Sequence, residues 1–238
     1  MLTKRKRKNT LPIVCAVIVA AGSSQRMGGV NKLLLPLADA PVLAHTLTAF
    51  QKCDAVRDMV LVCREADILP YTDLARAFGI SKLRTVIRGG DSRTDSVLAG
   101  VRISPADTPL VAVHDGARPL VSEAVITEAA YAAAACGAAA PVVPVKDSIK
   151  RIEDGRIAAD VPRATVAAVQ TPQIFDRALL LRALETAARQ NRTYTDDCAA
   201  VEALGHSVQA THGSYENIKI TTPEDMLLAE ALLHREAE

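Results

Sequence analysis

Three segments of the 238-residue sequence combine glycines with polar or charged side chains in patterns that could bind a phosphate, a metal ion or a base. The first, AAGSSQRMGGVNK, is a glycine-rich loop that carries two cations, Arg26 and Lys32. Backbone N–H groups of such a loop can surround a phosphate. No Gly-Lys-Ser or Gly-Lys-Thr sequence follows, which excludes a Walker motif, and Ser24 occupies the second glycine position of a dinucleotide-binding motif. These residues predict a phosphate or nucleotide loop, with an ordinary turn as the alternative.

The second and third segments each follow an apolar run. In VAVHDGARP, Asp115 could hold Mg²⁺ together with substrate phosphates, and Arg118 could bind a phosphate or a carboxylate. The alternative is that Asp115 caps the next turn and pairs with Arg118. In GGDSRTDSVLAG, Gly90, Asp91 and Ser96 offer groups for a base or a ribose, although a capped helix start explains the same residues. Three such loops after three successive strands favour a common site over coincidence.

The elements that must position these loops alternate between apolar strands and helices. This alternation predicts an α/β fold, a Rossmann-like and mostly parallel sheet with helices on both faces. Loops at the carboxyl ends of the strands then lie where open α/β sheets bind ligands. The predicted strands are 13–20, 59–63, 83–87, 110–114, 138–143, 208–211 and 217–220, and the predicted helices are 42–53, 67–79, 92–101, 122–136, 176–190 and 195–204, with a last helix that begins at 222–223.

Residues 145–163 interrupt this alternation and are too charged for a core. The dipeptide Asp154-Gly155 is a strong signal for a hairpin turn, so the segment predicts a β-hairpin arm that projects from the domain. An isolated hairpin is marginally stable, and we expect a second subunit to support it; a mobile surface hairpin is the alternative. No repeat or internal boundary is evident, so we predict a single domain over 13–238 after a basic tail over 1–12.

The composition excludes several classes of protein. Apolar residues make up 49% of the chain, enough for a sizeable core. Lys and Arg number 28 against 27 Asp and Glu, but Lys4–Lys8 contribute five of the cations, so the rest of the chain carries net negative charge. Such a body is poorly suited to nucleic acid, and the 3% of aromatic residues argues against base stacking.

The N-terminus and the cysteines bear on the compartment. The basic tail and the apolar run after it imitate a secretory signal, but cleavage there would remove the first strand, so we reject that interpretation. The run is too short to span a bilayer, and we expect no membrane association. The five cysteines are odd in number and form no Cys-x-x-Cys pair, which predicts free thiols, no zinc site and a cytoplasmic location.

Seven motifs in order give a resemblance to a known family. AAGSSQRMGGVNK, GGDSRTDSVLAG, VHDGARP, PVKDSIK, QTPQIF, YTDD and NIKITTPED resemble the 2-C-methyl-D-erythritol 4-phosphate cytidylyltransferases, over about residues 13–233. The resemblance implies a nucleotidyltransferase of isoprenoid biosynthesis that converts CTP and methylerythritol phosphate into CDP-methylerythritol and pyrophosphate. It also implies Mg²⁺ as cofactor and a homodimer in which the arm reaches the other subunit.

The same resemblance implies roles for individual residues. The chain departs from the commonest pattern at Asn31 and Leu33, which flank Lys32, and has Ser148 where threonine is usual. By analogy, the catalytic residues are Arg26, Lys32, Lys219 and Arg163; the nucleotide-binding residues are Ala20, Ala21, Gly22, Ser23, Gly90, Asp91 and Ser96; the substrate-binding residues are Arg118, Ser148 and Thr195; and the metal ligand is Asp115.

Three alternatives to this function stay open at the level of the sequence. The nearest is a ribitol-5-phosphate cytidylyltransferase, although such relatives tend to have valine where this chain has Ala117 before Arg118. A second is a nucleotidyltransferase that uses another base or another sugar or polyol phosphate. A third is an inactive nucleotide-binding regulator, against which the retained Arg26, Lys32 and Lys219 argue.

Overall fold

The computed structural model describes residues 11–22 and 31–236. Most of the basic tail and the loop residues Ser23 and Arg26 lie outside the described residues. The strands are β1 (Val14–Ala20), β2 (Pro36–Leu37), β3 (Ala40–Pro41), β4 (Val56–Cys63), β5 (Leu83–Arg88), β6 (Leu110–Asp115), β7 (Ala138–Pro144), β8 (Ile149–Glu153), β9 (Arg156–Val161), β10 (Ala167–Val169), β11 (Gln173–Asp176) and β12 (Gln209–His212). The helices are α1 (Val42–Lys52), α2 (Ile68–Ala77), α3 (Arg93–Ile103), α4 (Glu123–Cys136), α5 (Arg177–Arg189), α6 (Asp197–Glu202) and α7 (Pro223–Glu236).

The central sheet has the order β10-β7-β11-β6-β1-β4-β5, and β12 pairs with β7. Strand β1 is parallel to β4 and β6, and β4 is parallel to β5. Strand β11 runs antiparallel between β6 and β7. The predicted mostly parallel α/β sheet is therefore confirmed. The sequence did not indicate β10 and β11, because each is only three or four residues long and Pro172 lies between them.

The residues of β1 explain why the sheet is covered on both faces. Val14, Ala16 and Ile18 pack into one apolar cluster with α1, α2, α4 and α7, whereas Cys15 and Val17 pack into a second with α3, α5 and α6. Successive side chains of a strand point to opposite faces, so an uninterrupted apolar strand must be covered on both faces of the sheet. The predicted helices on both faces are confirmed.

The charged segment forms the predicted hairpin. Strands β8 and β9 make a separate two-stranded sheet. Asp154 and Gly155 at the turn have φ angles of 48° and 76°, and positive φ at both central residues is what a two-residue type I′ turn requires. The sequence therefore specifies the turn of the arm directly.

Two predictions near the C-terminus need correction. The strand predicted over 217–220 is wrong, because this backbone bonds to loops and side chains: Ile220 N donates to the carbonyl of Ala117, and the carbonyl of Asn217 accepts from Arg118. The apolar alternation there reflects packing of Ile218 and Ile220 against the core. Helix α6 is shorter than predicted, because the Asp196 side chain caps it by accepting from the N–H of Ala199.

All five cysteines are free, and four of them are buried, which confirms the prediction of unpaired thiols. In the part of the chain that the structure describes, no helix combines the length and the apolar character needed to cross a bilayer.

A buried hydrogen-bond chain fixes the end of β6. The Thr171 hydroxyl lies 3.1 Å from the Asp115 N–H and 3.0 Å from His114 Nδ1, and His114 Nε2 lies 3.2 Å from the Arg118 carbonyl. Because a carbonyl oxygen can only accept, Nε2 carries the proton and donates to the Arg118 carbonyl. In the neutral imidazole Nδ1 is then an acceptor, so the Thr171 hydroxyl donates to it. His114 is completely buried. The neutral imidazole thus ties the strand end to the loop before β11.

This arrangement predicts a stability loss in mild acid. Burial lowers the pKa of His114 from 6.5 to about 4, so between these values the unfolded chain binds a proton that the folded chain excludes. The stabilisation is complete above pH 6.5 and disappears as the pH falls towards 4. We expect the free energy of unfolding, measured with urea, to lose about 3 kcal/mol from this group across that window.

The change His114→Gln removes the titration, so the variant should show a correspondingly shallower pH dependence. His234→Gln, at an exposed position of α7, is the control and should keep the wild-type slope. Identical slopes for wild type and His114→Gln would contradict the assignment of a buried neutral imidazole.

Candidate active site

A cavity of about 430 Å³ opens where β1, β5 and β6 reach their carboxyl ends. Parallel strands end at the same edge of the sheet, so the loops that follow them converge there. Described residues from all three motif-bearing segments therefore line the same cavity. The candidate residues that line the cavity are Ala20, Ala21, Gly22, Lys32, Gly90, Asp91, Ser96, Asp115 and Lys219.

Of the other candidates, Arg118 contacts Asp115 but is not among the residues that line the cavity, and the remaining five divide into two groups. Ser23 and Arg26 fall outside the described residues. Ser148, Arg163 and Thr195 are exposed and are not among the residues around this cavity. Ser148 and Arg163 belong to the ends of the arm, where an Arg163 guanidinium N–H donates to the Lys146 carbonyl at 2.8 Å. The structure therefore separates the nucleotide-side candidates from those on the arm.

Asp115, the last residue of β6, is the centre of charge in the cavity. Lys219 Nζ lies 2.9 Å from its Oδ2, and Arg118 Nε lies 3.6 Å from the same oxygen. Burial raises the pKa of this carboxyl, but Lys219, Arg93 and Arg118 outweigh that effect and hold the pKa below its usual value. Asp115 is therefore ionised at neutral pH, next to cations contributed by three different segments.

Residues 217–221 carry Lys219 and are fixed at several points. Arg118 donates to the Asn217 carbonyl at 2.7 Å, and Lys32 Nζ donates to the Ile220 carbonyl at 2.7 Å. The buried Asn217 side chain donates to the Thr171 carbonyl at 2.9 Å. These contacts bring Lys32 and Lys219 to one wall although 186 positions separate them in the chain.

The loop after β5 is closely packed against the start of α3. A Cβ atom on Gly90 would lie 2.3 Å from the Cβ of Asp95, so only glycine allows this approach. The Ser96 hydroxyl accepts from the Gly90 N–H at 3.2 Å and donates to the Ser92 carbonyl at 2.9 Å. Ser92 and Asp95 form a capping box. The capped helix start and the binding loop are thus the same structure, and the two interpretations of this motif are compatible.

Sequence reasoning missed one charged residue of the cavity wall, Arg93. It donates to Oδ2 of Asp197 at 2.8 Å, and the Asp197 side chain is 2% exposed. The pair links the cavity to α6 and therefore to the segment that carries Thr195. The signal was present, because Arg93 stands inside GGDSRTDSV and Asp197 inside YTDD, but nothing in the sequence indicates that the two segments meet.

The side chains around the cavity suit a phosphate-rich ligand. Lys32, Arg93 and Lys219 contribute three positive charges, against two carboxylates from Asp91 and Asp115. Among the described residues, the hydroxyls that line the cavity donate to groups at the starts of their own helices: those of Ser92 and Thr221 bond to capping carboxylates, and that of Ser96 bonds to a backbone carbonyl. These three hydroxyls are therefore engaged in structural hydrogen bonds.

Comparisons with known proteins agree with this geometry. The family model of 2-C-methyl-D-erythritol 4-phosphate cytidylyltransferase matches residues 14–235. A protein of that name from Desulforamulus reducens is 46% identical over 225 residues, which cover 93% of this chain and 96% of the relative. Another of the same name, from Halalkalibacterium halodurans, is 44% identical over 218 residues, which cover 91% and 95% of the two chains.

Solved structures support the same assignment. The 4-diphosphocytidyl-2C-methyl-D-erythritol synthase from Anaerococcus prevotii superposes with a TM-score of 0.84 at 29% identity, over 94% of this chain and 96% of that one. The 2-C-methyl-D-erythritol 4-phosphate cytidylyltransferase from Thermus thermophilus gives a TM-score of 0.76 at 33% identity, over 92% and 98%. From its motifs, its fold and the extent of these matches, the chain belongs to the 2-C-methyl-D-erythritol 4-phosphate cytidylyltransferase family.

Proposed function

We propose that this enzyme transfers the cytidylyl group of CTP to 2-C-methyl-D-erythritol 4-phosphate. A phosphate oxygen of the sugar phosphate attacks the α-phosphorus, the bond between that phosphorus and the β-phosphate oxygen breaks, and pyrophosphate leaves. The observation that carries the proposal is the convergence of Lys32, Lys219 and Asp115 on one cavity at the strand ends, within a family named for this reaction.

The nucleotide occupies the loops after β1 and β5. The backbone of Ala20, Ala21 and Gly22, continued by Ser23, offers N–H groups to the triphosphate. Gly90, Asp91 and Ser96 read the cytosine, and their loop is already fixed by the capping box of α3. Because a base recognised by hydrogen bonds leaves buried groups unpaired when it is replaced, this loop gives selectivity among nucleotides.

The residues present fit a Mg²⁺ ion that is bound mainly through the substrate. Within 11–22 and 31–236, no group of three or more His, Cys, Asp or Glu side chains could hold a metal on its own. Asp115 supplies one ionised carboxylate at the cavity wall, and one carboxylate with phosphate oxygens is the usual protein contribution to a Mg²⁺ site. When bound, the ion neutralises phosphate charge during the transfer.

Catalysis by the protein is electrostatic. Lys32 and Lys219 lie on one wall, tied together through the Ile220 carbonyl, and stabilise the negative charge that develops as two anions meet. Arg26 belongs to the same loop as Lys32 and is proposed to act on the phosphates with it. Asp115 holds the Lys219 ammonium at 2.9 Å, so this group is oriented before the substrates bind.

The second substrate is bound partly by the arm of another subunit. Arg118 and Thr195 are proposed to contact it from the domain, and Ser148 and Arg163 from the partner's arm. Ile152 and Ile157 face each other across the hairpin and are 58% and 70% exposed. Two large and exposed apolar side chains that pair on a projecting hairpin suit burial against a second copy of the chain, which supports a homodimer with shared sites.

The reducing cytoplasm is the proposed location. All five thiols are unpaired, and Cys136 is exposed. An exposed thiol remains reduced most readily in that compartment.

The activity is tested by pyrophosphate release. We expect release with CTP, Mg²⁺ and methylerythritol phosphate, and much weaker release with UTP, GTP or ribitol 5-phosphate. Lys32→Ala should lower kcat by about 100-fold or more, the scale for removing one transition-state donor, while circular dichroism shows that the variant is still folded. Lys52→Ala, at an exposed position of α1, is the matched control and should retain wild-type turnover.

Each outcome of this assay identifies one error. A preference for ribitol 5-phosphate would show that methylerythritol phosphate is the wrong substrate. Equal use of several nucleotides would show that the loop after β5 does not select the base. No release with CTP and any polyol phosphate would favour an inactive nucleotide-binding protein. Wild-type turnover of Lys32→Ala would remove this lysine from the mechanism.

The shared site has its own test. Arg163→Ala should raise the KM for methylerythritol phosphate by about 10-fold or more, the cost of one charged hydrogen bond, and leave CTP binding unchanged. Arg156→Ala, also exposed on the arm, should have little effect. Co-expression of Lys32→Ala with Arg163→Ala creates mixed dimers that contain one intact site if the arm acts in trans.

At limiting methylerythritol phosphate, the mixed sample should therefore regain activity that neither variant has alone. No recovery, with mixed dimers demonstrated by mass spectrometry, would place Arg163 in the site of its own chain. Equal damage to CTP and sugar-phosphate use would move Arg163 out of the substrate pocket.

A further inference from the structure

Asn31, the residue before Lys32, is anchored to a cluster that the proposed mechanism does not use. Its side-chain Nδ2 donates to Oδ1 of Asp67 at 3.0 Å, and the same nitrogen lies 2.9 Å from the Tyr71 hydroxyl oxygen. The Tyr71 hydroxyl also lies 3.1 Å from Oδ1 of Asn31. Asp67 ends the short 3-10 turn after β4, and Tyr71 is in the first half of α2. The start of the lysine segment is thus bound to a neighbouring strand end.

The anchor is buried and already fixed by its own contacts. Asp67 is 7% exposed and Tyr71 is 1% exposed. Arg64 Nε donates to Oδ2 of Asp67 at 2.7 Å, so the two oxygens of this carboxylate serve Arg64 and Asn31 separately. Burial raises the pKa of Tyr71 to about 12, so its hydroxyl keeps its proton and stays a donor at neutral pH.

The same amide also shapes the backbone around Lys32. Oδ1 of Asn31 accepts from the Leu33 N–H at 3.2 Å, and the Asn31 carbonyl accepts from the Leu34 N–H at 3.0 Å. Leu33 is 6% exposed within the core. Lys32 therefore lies between an amide held by two buried side chains and a leucine held by packing, and its Nζ is directed to the Ile220 carbonyl.

We propose that Asn31 is a positioning residue for Lys32, and that Asp67 and Tyr71 act through it. This inference rests on the proposed catalytic function of Lys32. A lysine side chain is flexible, so its ammonium is placed when both ends are held: here Asn31 fixes the backbone, and the Ile220 carbonyl binds Nζ. Catalytic groups must be held to a fraction of an ångström, since a displacement of about 1 Å can cost 100-fold in rate.

A purely structural role is the competing explanation. The cluster also joins α2 to the lysine segment, so a variant could lose activity because the domain loosens. The two explanations differ in the quantity that changes. Positioning affects kcat through Lys32 alone, whereas loosening lowers thermal stability and acts on activity whether or not Lys32 is present.

The test is a double-mutant cycle with pyrophosphate release as the readout. Asn31→Ala should lower kcat by about 10-fold, with KM for CTP within about twofold of wild type. Tyr71→Phe, which removes only the hydroxyl, should lower kcat less, by about threefold. In a Lys32→Ala background, Asn31→Ala should produce no further loss, because the group that it positions is absent.

Leu74→Ala is the matched control for stability. Leu74 is on the same helix, is 8% exposed and packs in the core, so the change should lower the melting temperature at least as much as Tyr71→Phe does. At an assay temperature where every variant is folded by circular dichroism, Leu74→Ala should keep wild-type kcat.

The possible outcomes distinguish failure of the positioning role of Asn31 from failure of the catalytic role of Lys32. Wild-type turnover of Lys32→Ala would overturn both the lysine mechanism and the positioning role. A second outcome is that Lys32→Ala loses most of its kcat, but Asn31→Ala lowers kcat by the same factor in the wild type and in the Lys32→Ala variant. This would overturn only the positioning role. Wild-type kcat in Asn31→Ala, or an equal loss in Leu74→Ala, would likewise overturn it.

Discussion

The ionised carboxylate of Asp115 is the feature on which the rest of the site depends. A buried carboxylate keeps its charge only beside cations, and here Lys219 and Arg118 both approach the same oxygen. Arg118 follows Asp115 closely in the chain, whereas Lys219 comes from a distant segment, so the charge at the end of β6 also helps to specify how residues 217–221 lie against the sheet. The contacts around this carboxylate therefore also fix Lys219 at the cavity wall, where the proposed mechanism requires it.

Two contacts behind the cavity, Asn31 with Asp67 and Arg93 with Asp197, hold segments of its wall in place. On one side, Asn31 is held by buried groups of the neighbouring strand end, and this fixes the backbone of Lys32. On the other, Arg93 is held by the buried Asp197 of α6. Each contact joins segments that are distant in the chain: the first joins the segments after β1 and β4, and the second joins the starts of α3 and α6. In the proposed mechanism the protein contributes positioning and charge, so contacts that hold these segments in place matter for catalysis.

The sequence predicted what local patterns can encode. Apolar runs indicated the strands, and Asp154-Gly155 indicated the hairpin, because each depends on residues that are neighbours in the chain. The described parts of the motif segments lie at strand ends, as the same local patterns predicted. The antiparallel β11 and the pair between Arg93 and Asp197 were missed, since both depend on which distant segments meet. The strand expected over 217–220 was wrong because alternating apolar residues pack equally well in an irregular segment whose backbone bonds to loops.

The most direct measurement is the effect of Mg²⁺ on CTP binding in wild type and in Asp115→Asn. Isothermal titration calorimetry with and without the ion gives the two dissociation constants for each protein, and circular dichroism confirms that both are folded. The account predicts that Mg²⁺ tightens CTP binding to the wild type by at least about 10-fold, equivalent to about 1.4 kcal/mol, and that this dependence is lost in Asp115→Asn. The same dependence in both proteins would contradict the central role of this carboxylate.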